Sequence, residues 1–269
     1  MTDRGMIEVG GSIIEQLEPL FYPKSVAVIG ASNNPTKWGF SIFNDLLVKG
    51  FKGALYPINR NEEKISGIPC YKGVKDIPKP VDLAVIAVPA EIVPTIMKEC
   101  AEKDVKTAVI ISAGFGDAGE EGERLEKEVV RIARQGGIRF VGPNCFGIIN
   151  PFSNLSTTGL MSLYITPYIP KGSVAVITQS GNLGTFILKL AFERGFGISK
   201  FVNSGNEADL HVAKALLRCL NGRARRFDVA TDAAEYVYFP NRVQAGLIQV
   251  LFTRRCPAVC SKPRPLVVD

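Results

Sequence analysis

At 269 residues, with 46% hydrophobic and 22% charged residues, the chain has the size of about two domains and the composition of a soluble globular protein. No apolar run reaches the roughly 18 residues that a transmembrane helix needs, and the N-terminus lacks a signal-peptide core, so a cytoplasmic protein without membrane contact is expected. The six cysteines form no C-x-x-C pair and the chain has one histidine, so we expect reduced thiols and no metal site.

The net charge of +6 is concentrated near the C-terminus. Residues 218–269 hold nine basic and four acidic residues, and eight of the nine are arginine; residues 1–217 hold 23 and 22, and 16 of the 23 are lysine. No basic motif interleaved with aromatic residues accompanies the excess, so we expect no nucleic-acid partner. The abrupt change predicts an atypical tail over 218–269, of the kind that a reading-frame change or a fusion produces.

After a lead-in with a helical turn near 13–20, the first strong element is an apolar run from Ser25 that ends at Gly30. Such a run is typical of a strand buried on both faces in a parallel sheet. A helix is predicted from about Gly39 to Val48, and the free N–H groups of its first turn suit a phosphate. The G-x-G-x-x-G fingerprint is incomplete, because only Gly30 and the distant Gly39 are glycine. The pattern therefore predicts either a phosphate loop of unspecified ligand or an ordinary tight turn.

The alternation of strand and helix continues to residue 141. Strands are predicted at 53–58, 82–88, 107–112 and 138–141, and helices at 92–103 and 120–135. Five strands alternating with helices predict an α/β fold with a doubly wound parallel sheet. Because ligands bind outside the carboxyl ends of such strands, the turns that follow the five strands are expected to line one site.

A second α/β unit is predicted beyond a link that contains Pro151, Pro167 and Pro170. Strands are predicted at 173–178 and 198–203, helices at 183–193 and about 210–220, and an apolar helix or strand at 243–252. The predicted organisation is a Rossmann-like domain at 15–150, a linker at 151–171, the start of a second α/β domain at 172–217, and the tail at 218–269.

Seven short blocks carry a resemblance to a known family. The chain resembles the α-subunit of the nucleoside-diphosphate-forming acyl-CoA synthetases, above all the ADP-forming acetate–CoA ligases, with succinyl-CoA synthetase as the wider relative. This resemblance implies a Rossmann-like CoA-binding domain followed by an incomplete flavodoxin-like domain. The blocks are Ile29–Ser32, Tyr56–Asn59, Ala87–Ala90, Ile111–Gly116, Gly142–Gly147, Thr178–Gly181 and Ser204–Asp209.

The resemblance also implies roles for residues at the strand ends, with coenzyme A as a substrate. The loop of Gly30 and Ala31 would contact CoA, Ser32 and Lys37 its phosphates, and Asn59 its ribose-phosphate side. Val88, Pro89 and Ala90 would flank the nucleotide, and Ser112, Ala113 and Gly114 would border the pantetheine. The thiol would point toward Asn144 and Cys145, where Cys145 is expected to be a buried packing thiol. Ser180 and Gly181 would bind the phosphoryl group that is transferred.

The family joins a small carboxylic acid to CoA through an acyl phosphate and a phosphohistidine. ATP or ADP and Mg²⁺ would bind to an ATP-grasp β-subunit or domain, because nothing in this sequence resembles a triphosphate site with Mg²⁺ carboxylates. The phosphohistidine loop is missing: the single histidine, His211, is expected to be a surface or helix-face residue. We therefore assign no catalytic residue and expect a truncated chain that binds CoA but does not complete phosphotransfer alone.

Two other functions fit parts of the pattern. A non-catalytic module that senses CoA or a nucleotide would bind the same ligand without a partner subunit. An NAD-dependent oxidoreductase would share the fold, but the third glycine is absent and Asn59 stands where a carboxylate would bind the ribose.

Overall fold

The computed structural model describes residues 13–159, 168–210 and 248–252. Strands and helices alternate through the first part of the chain, close to the predicted positions. The elements are α1 (Ile13–Phe21), β1 (Ser25–Ile29), α2 (Trp38–Val48), β2 (Ala54–Ile58), a hairpin of β3 (Lys64–Ile65) and β4 (Ile68–Pro69), β5 (Leu83–Ile86), α3 (Val93–Glu102), β6 (Thr107–Ile110), α4 (Glu120–Gln135) and β7 (Arg139–Val141).

These strands form a five-stranded parallel sheet in the order β2-β1-β5-β6-β7. Every residue of β1, β5 and β6 is buried, which explains their continuous apolar sequences. Helices cover both faces, with one hydrophobic cluster on each. The predicted doubly wound sheet is confirmed. Strand order reverses between β1 and β5, so the ligand crevice of such a fold lies at the carboxyl ends of these two strands.

A second sheet has the order β12-β10-β11-β8-β9. Its elements are β8 (Gly147–Asn150), β9 (Leu155–Ser156), β10 (Lys171–Thr178), α5 (Gly181–Arg194), β11 (Ile198–Asn203) and β12 (Ile248–Phe252). Strands β10 and β11 are parallel, whereas β8, β9 and β12 pair antiparallel with their neighbours. The sequence did not predict β8 and β9, which join the second sheet from the segment around Pro151. In the predicted tail, the apolar segment 243–252 provides the edge strand β12.

The two sheets share one hydrophobic cluster. Val109 and Val141 of the first sheet pack in the same cluster as Ile148, Ile177 and Val202 of the second. An ion pair reinforces this contact, because Nε of Arg139 lies 2.8 Å from Oδ2 of Asp209, which also accepts from the backbone N–H of Phe140 at 3.0 Å. The second sheet is therefore docked directly beside the last strand of the first.

The structure tests the predictions on membrane contact and on the segment around His211 only in part. None of the described helices is long and apolar enough to span a membrane; the cytoplasmic location stays a prediction. His211 and the predicted helix at 210–220, apart from Leu210, lie outside the described residues.

Candidate functional site

The centre of the site is Gly30, which follows β1 at the point where the strand order reverses. Its φ of +89° is favourable for glycine, and a Cβ there would overlap the carbonyl oxygen of Ala87 at the end of β5. A Cβ at Gly39, near the start of α2, would overlap the Gly30 carbonyl oxygen, so a side chain at Gly39 is also excluded. The missing side chain at Gly30 lets the ends of β1 and β5 approach each other, and the one at Gly39 lets the first turn of α2 approach the end of β1.

The polar side chains of this loop hold its shape. The Ser32 Oγ accepts from the N–H of Asn34 at 3.0 Å, and Oδ1 of Asn34 accepts from the N–H of Thr36 at 3.0 Å. Asn59, at the end of β2, donates from Nδ2 to the Ala31 carbonyl at 2.8 Å. Lys37 is exposed at the loop end and offers a compact cation beside it. The loop therefore combines a fixed backbone with one accessible positive charge.

The next strand ends form one continuous edge with this loop. The Ser112 Oγ donates to the Val88 carbonyl at 2.5 Å and accepts from the Val88 N–H at 3.3 Å. A Cβ at Gly114 would lie 3.4 Å from Cβ of Ala90, and the N–H of Asn144 donates to the Ser112 carbonyl at 2.8 Å. The structure thus brings the predicted segments of all five strands together in the order β2, β1, β5, β6, β7.

Cys145 is buried within this edge and its thiol faces the sheet. The Sγ donates to the Ile110 carbonyl at 3.3 Å, and burial raises the pKa of the Cys145 thiol to about 12. A neutral, enclosed thiol is a poor nucleophile, since the thiolate is the reactive form. This geometry agrees with the expected packing role of Cys145.

An aromatic contact connects this edge to the second sheet. Trp38, at the first position of α2 and 43% exposed, lies with its ring centroid 5.7 Å from that of Phe146. The Phe146 ring also covers the start of α5, because a Cβ at Gly181 would lie 2.6 Å from it. Ser180 caps α5 with its Oγ, which accepts from the Leu183 N–H at 3.4 Å. The N-terminus of α5, with Ser180 and Gly181, therefore lies beside the loop that begins α2.

A group of carboxylates shapes the loop after β6. Asp117 accepts from the N–H groups of Gly114 and Phe115 at 3.3 and 3.1 Å, and Glu126 accepts from the N–H of Gly116 at 3.3 Å. Burial raises the pKa of the Asp117 carboxyl, but hydrogen bonds from Asn206 and these N–H groups outweigh it, so the pKa lies below its usual range. Asp117 is therefore an ionised acceptor at neutral pH.

Within the described ranges, no three His, Cys, Asp or Glu side chains lie together as metal ligands would. The chemistry that the site offers is backbone and amide hydrogen bonding along an extended edge, with a cation at one end and a helix N-terminus at the other. Such an arrangement suits a long ligand that carries phosphates.

Two family models and several known proteins match this chain. Residues 24–151 match the family model described as the CoA binding domain, and residues 171–225 match that of the succinyl-CoA ligase like flavodoxin domain. The chain is 48% identical over 198 residues to the alpha subunit of ADP-forming acetate–CoA ligase II of Pyrococcus furiosus. The chain belongs to the NDP-forming acyl-CoA synthetase family. Its predicted membership and its fold class are confirmed.

Two further relatives support the same assignment. ADP-forming acetate–CoA ligase II of Archaeoglobus fulgidus is 45% identical over 199 residues, which are 73% of this chain and 29% of the relative. The solved structure of the dinucleotide-forming acetyl-coenzyme A synthetase 1 of Ca. Korarchaeum cryptofilum, in complex with phosphate and ADP, matches with a TM-score of 0.71 and 40% identity. That match covers 76% of this chain and 42% of the other.

The chain spans less than half the length of these relatives. The match to the Pyrococcus furiosus subunit covers 73% of this chain but 42% of that protein. The second family match ends at residue 225, within the predicted tail, where residues 211–247 lie outside the described part. The predicted domain boundaries and the origin of the tail stay predictions.

Several residues that build this candidate site were not predicted as site residues. Their contacts join loops that are far apart in the sequence. Three of them are polar residues of a type that is common in turns and at the surface. The buried Asn203 accepts from the Phe146 N–H at 2.6 Å and donates to the carbonyls of Thr178 and Gln179. Two blocks of the resemblance gave a signal, Gly142–Gly147 for Phe146 and Ser204–Asp209 for Asn206. The missed residues are Trp38, Asp117, Phe146, Asn203 and Asn206.

Proposed function

We propose that this chain is the CoA-binding part of an ADP-forming acyl-CoA ligase. The observation that carries the proposal is the close approach of Gly30 to Ala87 and of Gly39 to Gly30, which sets the start of α2 against the strand ends at the strand-order reversal. The loop 30–37 would bind the CoA phosphates, with Lys37 as the cation and Asn59 on the ribose-phosphate side. The match to the CoA binding domain supports CoA as the ligand of this loop.

The rest of the edge fits the rest of the ligand. Val88, Pro89 and Ala90 would flank the adenine nucleotide, and Ser112, Ala113 and Gly114 would border the pantetheine. The thiol would then reach Asn144, near the N-terminus of α5. There Ser180 and Gly181 would hold the phosphate of an acyl phosphate, where backbone N–H groups and the helix dipole favour an anion.

The chemistry at this point is an acyl transfer. The CoA sulfur would form a bond to the acyl carbon, and the bond from that carbon to the phosphate oxygen would break. The thiol proton would leave with the released phosphate. The charge of the phosphate would be stabilised at the start of α5. Cys145 takes no part, because its thiol is enclosed and neutral.

The remaining steps need groups on another chain or domain. The acid is a small carboxylic acid, and ATP or ADP with Mg²⁺ would bind to an ATP-grasp subunit or domain. Two relatives are named as ADP-forming ligases, one of them as an alpha subunit, which supports ADP as a reactant and a second subunit as partner. Recovery of an ATP-grasp chain with the tagged protein supports the ligase, whereas a CoA-sensing module would bind CoA without it.

Calorimetric titration of the full chain with CoA tests the proposal. Gly30→Ala should weaken binding by at least about tenfold, since the added Cβ overlaps the Ala87 carbonyl and displaces the loop that would bind the phosphates. Gly119→Ala is the matched control, because φ is +91° there but nothing lies within 4 Å of the added Cβ. Circular dichroism checks that both variants fold, and the exposed Lys37→Met gives a second, milder change.

The proposal fails if the wild-type chain shows no saturable CoA binding. NAD titrated in parallel separates the oxidoreductase alternative, which predicts NAD binding in preference to CoA.

A further inference from the structure

Asn206 connects the second domain to the two carboxylates that hold the loop after β6, Asp117 and Glu126 of α4. Among the contacts of the described residues, it is the single side chain that does so. Its Nδ2 donates to Oδ1 of Asp117 at 3.1 Å and to Oε2 of Glu126 at 2.9 Å. Its Oδ1 accepts from Nδ2 of Asn144 at 3.3 Å, and its backbone N–H donates to the Pro143 carbonyl at 2.9 Å. One amide group thus uses both donor protons and its acceptor in contacts between two domains.

The two carboxylates hold the backbone of the loop at 114–116. Asp117 accepts from the N–H groups of Gly114 and Phe115, and Glu126 accepts from the N–H of Gly116 with the same oxygen that Asn206 contacts. Both carboxylates also accept from the neutral amide of Asn206, so a single donor group fixes their position relative to each other.

The backbone on either side of Asn206 makes the contact rigid. Gly205 has a φ of +58°, and a Cβ there would overlap the carbonyl oxygens of Pro143 and Asn144. The Ala208 N–H donates to the Gly142 carbonyl at 3.1 Å, on the other side of Asn206. The amide is therefore held in place by its own loop before it reaches the carboxylates.

We propose that Asn206 is a positioning residue that sets the shape of the pantetheine half of the CoA site. It acts through Asp117 and Glu126 on the loop at 112–116, and through Asn144 on the position that the thiol reaches. This inference rests on the proposed function, in which that loop borders the pantetheine. The contacts of Asn206 go to this loop, to α4 and to the turn at 142–144; the phosphate loop at 30–37 is held separately by Asn34 and Asn59.

The separation of the two halves makes the inference testable with two ligands. CoA contains the pantetheine arm, whereas adenosine 3′,5′-bisphosphate carries the same adenine and 3′-phosphate without it. Asn206→Ala should weaken CoA binding about tenfold, the effect of losing hydrogen bonds to charged groups, and change binding of the bisphosphate less than about twofold. A loss of overall stability would instead weaken both ligands together.

Asn206→Asp is the sharper variant, because it keeps the shape but places a third carboxylate against Asp117 and Glu126. We expect it to weaken CoA binding more than Asn206→Ala does, with the bisphosphate again little changed. Asn154→Asp is the matched control: Nδ2 of Asn154 also donates between elements, to the Gly50 carbonyl at 3.2 Å, but away from the site. If Asn206→Asp does not fold, Glu126→Ala should reproduce the selective loss by freeing the Gly116 N–H.

The inference is overturned if the Asn206 variants bind CoA as tightly as wild type, or if CoA and the bisphosphate weaken equally. Failure of the proposed function looks different, because the wild-type chain itself would then not bind CoA. A selective loss for CoA supports the positioning role.

Discussion

The carbonyl oxygen of Gly30 lies so close to Cα of Gly39 that a Cβ at Gly39 would overlap it. This contact lets the start of α2 press against the end of β1, at the strand-order reversal. In a dinucleotide-binding fingerprint, the third glycine serves this purpose of close packing between helix and strand. Here the glycine stands nine residues after Gly30, so the spacing hides the shared role.

Gly39→Ala tests this contact. At an open helix position the change would stabilise a protein by up to about 1 kcal/mol, because alanine has the higher helix propensity. At Gly39 the overlap is with a backbone carbonyl, which cannot rotate away, so we expect a loss of about 2 kcal/mol in the free energy of unfolding. Chemical denaturation measures it.

The control for that variant is Gly73→Ala, where φ is −151° and the nearest atom to the added Cβ is 3.4 Å away. Its free energy of unfolding should change by less than about 1 kcal/mol. Equal effects of the two substitutions would contradict the packing role of Gly39.

Gly205→Ala tests the docking of the second sheet on the first. The added Cβ would overlap the carbonyl oxygens of Pro143 and Asn144, and φ is +58°, so both strain and collision are expected. Gly195→Ala carries similar strain at φ +72°, but nothing lies within 4 Å of its Cβ. We expect Gly205→Ala to lower the free energy of unfolding by at least about 1 kcal/mol more than Gly195→Ala does.

Limited proteolysis gives a second measure of the same docking. The loop at 203–209 should become a cleavage site in Gly205→Ala and stay protected in Gly195→Ala, because local opening exposes it. Identical cleavage of the two variants would contradict the proposed close contact.

The buried thiols predict a pattern of chemical reactivity. Burial raises the pKa of Cys100 and Cys145 to about 12, so at about pH 8 roughly one thiol in ten thousand is ionised. Both thiols should resist alkylation in the folded protein and react after unfolding, as peptide mass spectrometry would record. Modification of Cys145 at the rate of an unfolded control would place its thiol in the open site and contradict the packing role.

The sequence predicted the first sheet well because its strands are buried on both faces. Continuous apolar runs such as Ser25–Ile29 and Leu83–Ile86 need no distant partner to be recognised, and the turn residues after them mark the ligand edge. The residues of that edge could be assigned roles only through the family resemblance, since the local pattern left the ligand open.

The second sheet and the domain contact were harder to predict. Strand β8 spans four residues before Pro151, and it pairs with β11 about fifty residues later, so its partner is not visible in the local pattern. Asn203 and Asn206 are asparagines, a residue type that is common in turns. In the structure their side-chain amides form hydrogen bonds to separate loops. Their roles depend on the tertiary contact, which no periodicity reports.

The most direct measurement uses Trp38, the single tryptophan of the chain, at the start of α2 beside the proposed phosphate loop. If CoA binds along the five strand ends, its addition should change the tryptophan emission and lower its quenching by acrylamide. Both effects should be half-maximal at a free CoA concentration equal to the dissociation constant found by calorimetry. Unchanged emission and quenching at saturating CoA would place the ligand elsewhere and contradict the account.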